Sequence, residues 1–257
     1  MEKGIIVVSF GTSYEETRRL TIEAIENRIR NDFDDCLVLR AFTSEIIRNK
    51  LRTRDNLNIF NTREALERMK SENIKDIYIQ PLHIIEGHEY EKIIRQSKDF
   101  LDENSEFKIK IGKPLLADGS DYMQVVKSLS LRDREDEATI YMGHGSDHEA
   151  DISYEKLEKY IQDAGYKNTH IATVEGSKTI QDVLGLLGQD IKTINLLPFM
   201  LVAGDHAIND MASDEEDSWK TILESKGYQV KTELRGLGEI KAIQNIFISH
   251  LKEIYKE

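Results

Sequence analysis

Glu89, His144 and His206 each stand at or just past the end of a short apolar run, in "IYIQPLHIIEGHEYEK", "ATIYMGHGSDH" and "TINLLPFMLVAGDHAIND". Imidazole and carboxylate are the donors that suit a first-row divalent metal. Three protein ligands leave coordination positions open, as a reactive site requires. Histidine also accepts protons near neutral pH, so the set fits a reaction that handles a metal and protons together. The glycines on either side of His144 point to close backbone approach. Each residue also has a plainer reading: His144 as filler of a tight turn, His206 as a turn residue beside Asp205, Glu89 as a helix-start carboxylate. Asp205 is the expected orienting partner of His206. Of the other histidines, His83 lies in a strand and reaches the site or packs, and His88 abuts Glu89. His148 reads as rim, and His170 and His250 as structural or solvent-facing.

Other chemistries lack their signatures. "HEYEK" has no second histidine at the zinc-protease spacing, and no phosphate-binding glycine loop follows a strand, so no organic cofactor is expected. "SFGTS" is not a nucleophile elbow. The 257 residues include 35 basic and 47 acidic side chains, a net charge of -12, which argues against nucleic acid as a partner. Hydrophobic residues at 39% and charged residues at 32% describe a globular chain with a proper core. The one cysteine, Cys36, excludes an internal disulfide and reads as a small buried hydrophobe. No apolar run reaches the ~18 residues of a membrane helix. The opening "MEKGIIVVSFGTS" reads as a first strand rather than a signal peptide, giving a cytoplasmic expectation.

The elements that must carry these residues are short β-branched runs alternating with amphipathic helical patterns such as "YEETRRLTIEAIENRIR" and "TREALERMKSEN". The expected strands are "GIIVVSF", "DCLVLRAF", "DIYIQPLHII", "FKIKIG", "ATIYMGH", "THIATVE", "TINLLPFMLV" and "YQVKTEL". Continuous apolar strands separated by helices indicate α/β sheets of parallel strands, covered on both faces. The halves repeat one plan: Pro81 falls on Pro198, Gly87 on Gly204, Glu89 on His206, Gly11 on Gly145 and Phe10 on His144. "RAFTS" and "TVEGS" sit in the same relative order. Two similar domains follow, residues 1–120 and 121–238, with a final helix over 239–257 packing back on the first. Ligands of open parallel sheets bind beyond the carboxyl ends of the strands, so a cleft lined by strand exits is expected.

One basic stretch stands out, "IIRNKLRTRDN", with Arg48, Lys50, Arg52 and Arg54. It reads either as solvated charge or as a receptor for several carboxylates. Together "VVSFGTSY", "RAFTS", "KLRTRD", "QPLHIIEGHEYEKI", "MGHG" and "PFMLVAGDHAINDMASDEEDSWK" resemble the anaerobic-type sirohydrochlorin cobaltochelatases, within the class II chelatase group that also holds ferrochelatases. The resemblance runs over essentially the whole chain. It implies a lyase of cobalamin biosynthesis that inserts Co²⁺ into the tetrapyrrole sirohydrochlorin without ATP. His144 and His206 match its metal-handling histidines and Glu89 its acidic partner. Phe10, Thr12, Ser13, Arg52, Arg54, His83 and His88 are then expected to contact the macrocycle. His88 departs from the acid expected before the glutamate, and is a candidate to add a ligand or alter metal preference. A ferrochelatase, with Fe²⁺ or Ni²⁺ accepted, and a non-catalytic metal or tetrapyrrole carrier are the alternatives; a homo-oligomer is compatible with either.

Overall fold

A computed structural model describes residues 2–132 and 134–256. The apolar runs form two parallel sheets of four strands each. The first contains β1 (Lys3–Ser9), β2 (Cys36–Phe42), β3 (Asp76–Pro81) and β4 (Lys108–Ile111), in the order β2-β1-β3-β4. The second contains β5 (Glu137–Gly143), β6 (Thr169–Thr173), β7 (Thr193–Pro198) and β8 (Gln229–Thr232), in the order β6-β5-β7-β8. Helices flank each sheet: α1 (Glu15–Leu20), α2 (Ile22–Asp32), α3 (Glu45–Asp55), α4 (Thr62–Ser71) and α5 (His88–Glu103) belong to the first. The second carries α6 (Gly119–Ser128), α7 (Ile152–Asp163), α8 (Ile180–Leu184) and α9 (Trp219–Ser225). The chain divides between Ala117 and Asp118, and α10 (Lys241–Lys256) belongs to the first unit. The two four-stranded parallel sheets flanked by helices are the fold class that the strand and helix patterns predict.

Why the central strands are apolar throughout follows from their burial. Six of the seven residues of β1, and six of the seven of β5, are buried, because helices cover both faces of a parallel sheet. In the first unit Ile6, Val8, Ile77 and Ile79 pack with Leu66, Met69 and Phe100. In the second, Ile140, Met142, Ile194 and Leu196 pack with Val183, Met211 and Trp219. Helix α10 is tied to the first unit by Arg28, which bonds the Gln244 and Asn245 side chains. Tyr255 adds ring contacts to Phe33 and Tyr78.

The duplication is visible bond by bond. The last ladder bond beside β3 is Leu82 N–H to the Val8 carbonyl; beside β7 it is Phe199 N–H to the Met142 carbonyl, both 2.7 Å. Each follows a proline, Pro81 or Pro198, which ends the strand by withdrawing a donor. The apolar runs after these prolines, expected as strand, therefore leave the sheet. The pattern "YEETRRLTIEAIENRIR" also differs from one continuous helix. Thr21 adopts φ −116, ψ −80 and its hydroxyl donates to the Thr17 carbonyl at 2.5 Å, separating α1 from α2.

One buried ionic group braces the second unit. Glu158 on α7 receives His170 Nδ1 at 3.2 Å, Ile171 N–H at 2.8 Å and the Lys178 ammonium at 2.6 and 2.5 Å. Burial pushes the Glu158 carboxyl up, but the bonds from His170, Lys178 and Ile171 outweigh it and hold the group below the ordinary 4.5. Its contribution is thus complete above that ordinary value and is lost as pH falls through the lowered one. Glu158→Gln should therefore lower stability at neutral pH and flatten the loss of stability on acidification, read by thermal denaturation from neutrality to about pH 3. Parallel acid profiles for the two proteins would refute this.

Candidate metal centre

The second unit brings three potential ligands together at the exits of three adjacent strands. His144 is the first residue past β5, the central strand of the β6-β5-β7 set. Its carbonyl accepts the Glu175 N–H at 2.8 Å, which carries the strand pairing one step beyond β6 and sets Glu175 beside it. After β7 the chain runs to Gly204, whose carbonyl accepts the Ile208 N–H at 3.0 Å and opens a helical turn holding His206. That turn continues as a π-helix, Ala207–Met211, a form often found where a helix serves a site.

One donor atom from each of His144, Glu175 and His206 lies within 4.8 Å of the other two. The imidazoles stand edge to face, 4.8 Å between ring centres. His144 Nδ1 lies 3.0 Å from the Gly145 carbonyl and 3.7 Å from Glu175 Oε2. His206 Nδ1 lies 2.5 Å from Asp210 Oδ2, four residues along the π-helix. A carbonyl and a carboxylate only accept, so each Nδ1 is the donor in these contacts. Side chains are 39%, 59% and 31% exposed for His144, Glu175 and His206. The group is an accessible set of two nitrogens and one carboxylate, matched to a borderline divalent ion such as Co²⁺.

The backbone around it leaves no room for side chains. Gly145 has φ +79, and a Cβ there would lie 2.3 Å from the Gly176 nitrogen. Glycine is required, and the turns carrying His144 and Glu175 touch through their backbones.

The first unit holds the counterparts. Ser44 N–H donates to the Phe10 carbonyl and Glu91 N–H to the Gly87 carbonyl, the same bonds that place Glu175 and His206. Phe10, Ser44 and Glu89 therefore occupy the positions that carry His144, Glu175 and His206 in the second unit. Glu89 lies in the first turn of α5, its Oε2 buried without a hydrogen bond among the described residues, and the Lys92 ammonium is 3.8 Å away. His83 follows β3 with Nε2 3.4 Å from Thr43 Oγ1 and a buried Nδ1 that has no hydrogen-bond partner among the described residues. Burial, helped by the Lys92 charge, pushes its imidazole down to about 4. Thr12 and Ser13 are buried in the turn after β1, where Thr12 Oγ1 accepts the Tyr14 N–H. Arg54 is drawn to Asp55 and to the Ser13 carbonyl, while Arg52 is exposed and bonds Asn49. His88 is the exposed first residue of α5.

Sequence reasoning thus brought His144 and His206 to one place, and took their carboxylate from Glu89 of the other unit. Glu175 was not singled out, because a comparison of "RAFTS" with "TVEGS" shows the order of the strands and not the hydrogen bond that pairs Ser44 with Glu175. The carboxylate that meets His206 Nδ1 is Asp210, 2.5 Å away. The helical i, i+4 spacing in "HAIND" is the signal for it, and it emerges only when the turn is recognised as helical.

The profile of the cobalt chelatase (CbiK) family matches residues 3–256. The sirohydrochlorin cobaltochelatase of Salmonella typhimurium is 38% identical, over 98% of this chain and 96% of its own length. The sirohydrochlorin cobaltochelatase CbiKC of Nitratidesulfovibrio vulgaris is 32% identical, over 97% and 89% respectively. Among solved structures, the sirohydrochlorin chelatase SirB of Bacillus subtilis subspecies spizizenii, in complex with cobalt, shares the fold. It has a TM-score of 0.68 at 13% identity, over 100% of this chain and 96% of that one. With a family match across nearly every residue and two imidazoles converging with a carboxylate at the strand exits, this chain belongs to the CbiK cobalt chelatase family.

Proposed function

We propose that this chain inserts Co²⁺ into sirohydrochlorin, a step of anaerobic cobalamin biosynthesis, in the cytoplasm and without ATP or an organic cofactor. The observation that carries this reading is the His144, Glu175, His206 cluster, whose donor atoms lie within 4.8 Å of one another. Co²⁺ enters as a substrate: two pyrrole N–H bonds break, two protons leave, and the macrocycle dianion takes the dication. Charge balances without an external energy source.

The residues divide by chemistry. His144, Glu175 and His206 hold the incoming ion and release it, since three accessible ligands leave coordination positions for the ring nitrogens. Glu89 and His83 are assigned to the macrocycle's protons and N–H groups, because each has a buried polar atom without a hydrogen bond among the described residues. His83, already neutral at working pH, is a hydrogen-bonding group rather than a strong base. Phe10 supplies an aromatic face, 45% exposed. Thr12 and Ser13 shape the turn beneath it. Arg52, Arg54 and His88 are assigned to the carboxylate side chains of sirohydrochlorin. The donor set does not by itself separate Co²⁺ from Fe²⁺ or Ni²⁺, which lie close in affinity order.

Three outcomes test this. Following the visible spectrum of sirohydrochlorin with Co²⁺, Fe²⁺ and Ni²⁺ in turn should show fastest turnover with Co²⁺. His206→Ala and Glu175→Ala should each slow insertion by about 10²-fold or more with unchanged melting temperature; near-normal turnover in either removes it from the metal centre. In the folded protein, the His83 imidazole should remain neutral down to about pH 5, followed by NMR, since its pKa lies at about 4. A His83 midpoint near the ordinary 6.5 would contradict its assignment.

A further inference from the structure

Between β2 and the first turn of α3 there is one residue, Thr43, before the capping Ser44. The corresponding stretch of the second unit is longer: Val174–Lys178 intervenes between β6 and Thr179, the cap of α8. Val174 and Glu175 match Thr43 and Ser44, so the added residues are those between Glu175 and Thr179, and they make a turn that Glu175 opens. An exposed turn would not hold a ligand in register by itself, so what fixes it matters.

Its far end is closed on the strand, with Thr173 N–H donating to the Lys178 carbonyl at 2.7 Å and the Lys178 ammonium held by Glu158. Its middle is held by one carboxylate, Asp151, at the start of α7 and only 7% exposed. Asp151 Oδ2 accepts both the Ser177 N–H and the Ser177 hydroxyl at 2.8 Å. Oδ1 accepts the Ser146 N–H at 3.1 Å, two residues past His144. One side chain therefore bridges the turn carrying Glu175 and the turn carrying His144. Gly176 is small because of it: a Cβ there would lie 2.4 Å from Asp151 Oδ1.

The duplication supplies an internal control. Tyr14 N–H bonds Thr12 Oγ1 as His148 N–H bonds Ser146 Oγ, so the two turns correspond and Thr17 stands where Asp151 does. In the first unit the direct path from Thr43 to Ser44 leaves no excursion to restrain, and the three ligand positions are Phe10, Ser44 and Glu89. The bridging carboxylate occurs in the unit that has the histidine ligands.

We infer that Asp151 is a positioning residue of the metal centre, which sets Glu175 against His144 by tying their two turns together. This rests on the reading of His144, Glu175 and His206 as the ligands. The bridge needs an acceptor on both oxygens. Asparagine would turn its amide hydrogens toward either Ser146 N–H or Ser177 N–H, and one turn would be released.

The test is Co²⁺ binding to the full chain without sirohydrochlorin, by calorimetry and by the visible absorption of the bound ion. Wild type is compared with Glu175→Ala, Asp151→Asn, Ser177→Ala and the Asp151→Asn/Glu175→Ala pair, each checked for an unaltered fold. Asp151→Asn should weaken binding about 10–100-fold, the usual cost of losing a group that orients a ligand. It should also shift the Co²⁺ spectrum toward that of Glu175→Ala, and cost little more in the Glu175→Ala background, because both changes remove the same ligand. Ser177→Ala, which deletes a single bond, should weaken binding less and in the same non-additive way, and it serves if Asp151→Asn fails to fold. Wild-type affinity in the Asp151 or Ser177 variant, or losses that simply add to that of Glu175→Ala, would overturn the positioning role. No Co²⁺ binding by wild type, or no effect of Glu175→Ala, would instead overturn the ligand assignment on which it stands.

Discussion

Parallel strands lie about 4.8 Å apart, and that spacing is the constraint on which the metal centre depends. A divalent ion needs donor atoms that converge within a few ångströms. In the second unit β5 sits between β6 and β7; His144 and Glu175 follow the ends of β5 and β6 directly, and His206 is brought beside them by the helical turn that opens at Gly204. The bond from Glu175 N–H to the His144 carbonyl, 2.8 Å, is the ladder extended by one rung, so the spacing of the sheet becomes the spacing of the ligands. His144 and the His206 turn flank the point where the connections of an open α/β sheet diverge, which is where such sheets leave a crevice.

The same scaffold in the first unit carries a different chemistry. The matching positions hold Phe10, Ser44 and Glu89, an aromatic ring, a hydroxyl and one carboxylate. The helices following β3 and β7 diverge as well. From Gly87, α5 runs on as a regular helix to Glu103, whereas the helix from Gly204 passes into a π-turn within its first residues. Within that turn Asp210, four residues after His206, lies 2.5 Å from its Nδ1. On the proposed reading one unit holds the cation, and its copy varies the same three positions for another part of the substrate.

Much of this was legible in the sequence, because strand-end prolines and glycines mark the places where backbone chemistry changes. The pairs Pro81 with Pro198 and Gly11 with Gly145 predicted the duplication, and both glycines have positive φ, +99 and +79. The apolar runs located all eight strands and overshot β3 and β7, since "LHII" and "FMLV" are as apolar as the strands they follow and only the ladder shows where pairing ends. Glu175 stayed hidden for a different reason. Its counterpart is Ser44, the cap of α3, but residues inserted after Glu175 move the corresponding helix cap to Thr179, so the strand-to-helix pattern of the halves does not pair the two. The break at Thr21 was invisible because a threonine hydroxyl bonding a carbonyl one turn back leaves the helical periodicity intact. Asp210 needed the geometry of a helix that begins after a stretch read as strand.

A site that binds a metal permanently and a site that delivers one call for opposite designs. A structural ion is enclosed by four protein ligands and shielded from water. In the proposed site three potential ligands converge, and the side chains of His144 and Glu175 are 39% and 59% exposed. Their order comes from outside the set, from the Gly145 carbonyl, Asp210 and the turn that Glu175 opens. On that reading pre-orientation lets the ion be captured without first freezing the ligands, and a set of three keeps it exchangeable. On the proposed reaction the protons released are those of the macrocycle, and their loss, which creates a dianion with four ring nitrogens, is what draws the metal out of a three-ligand site.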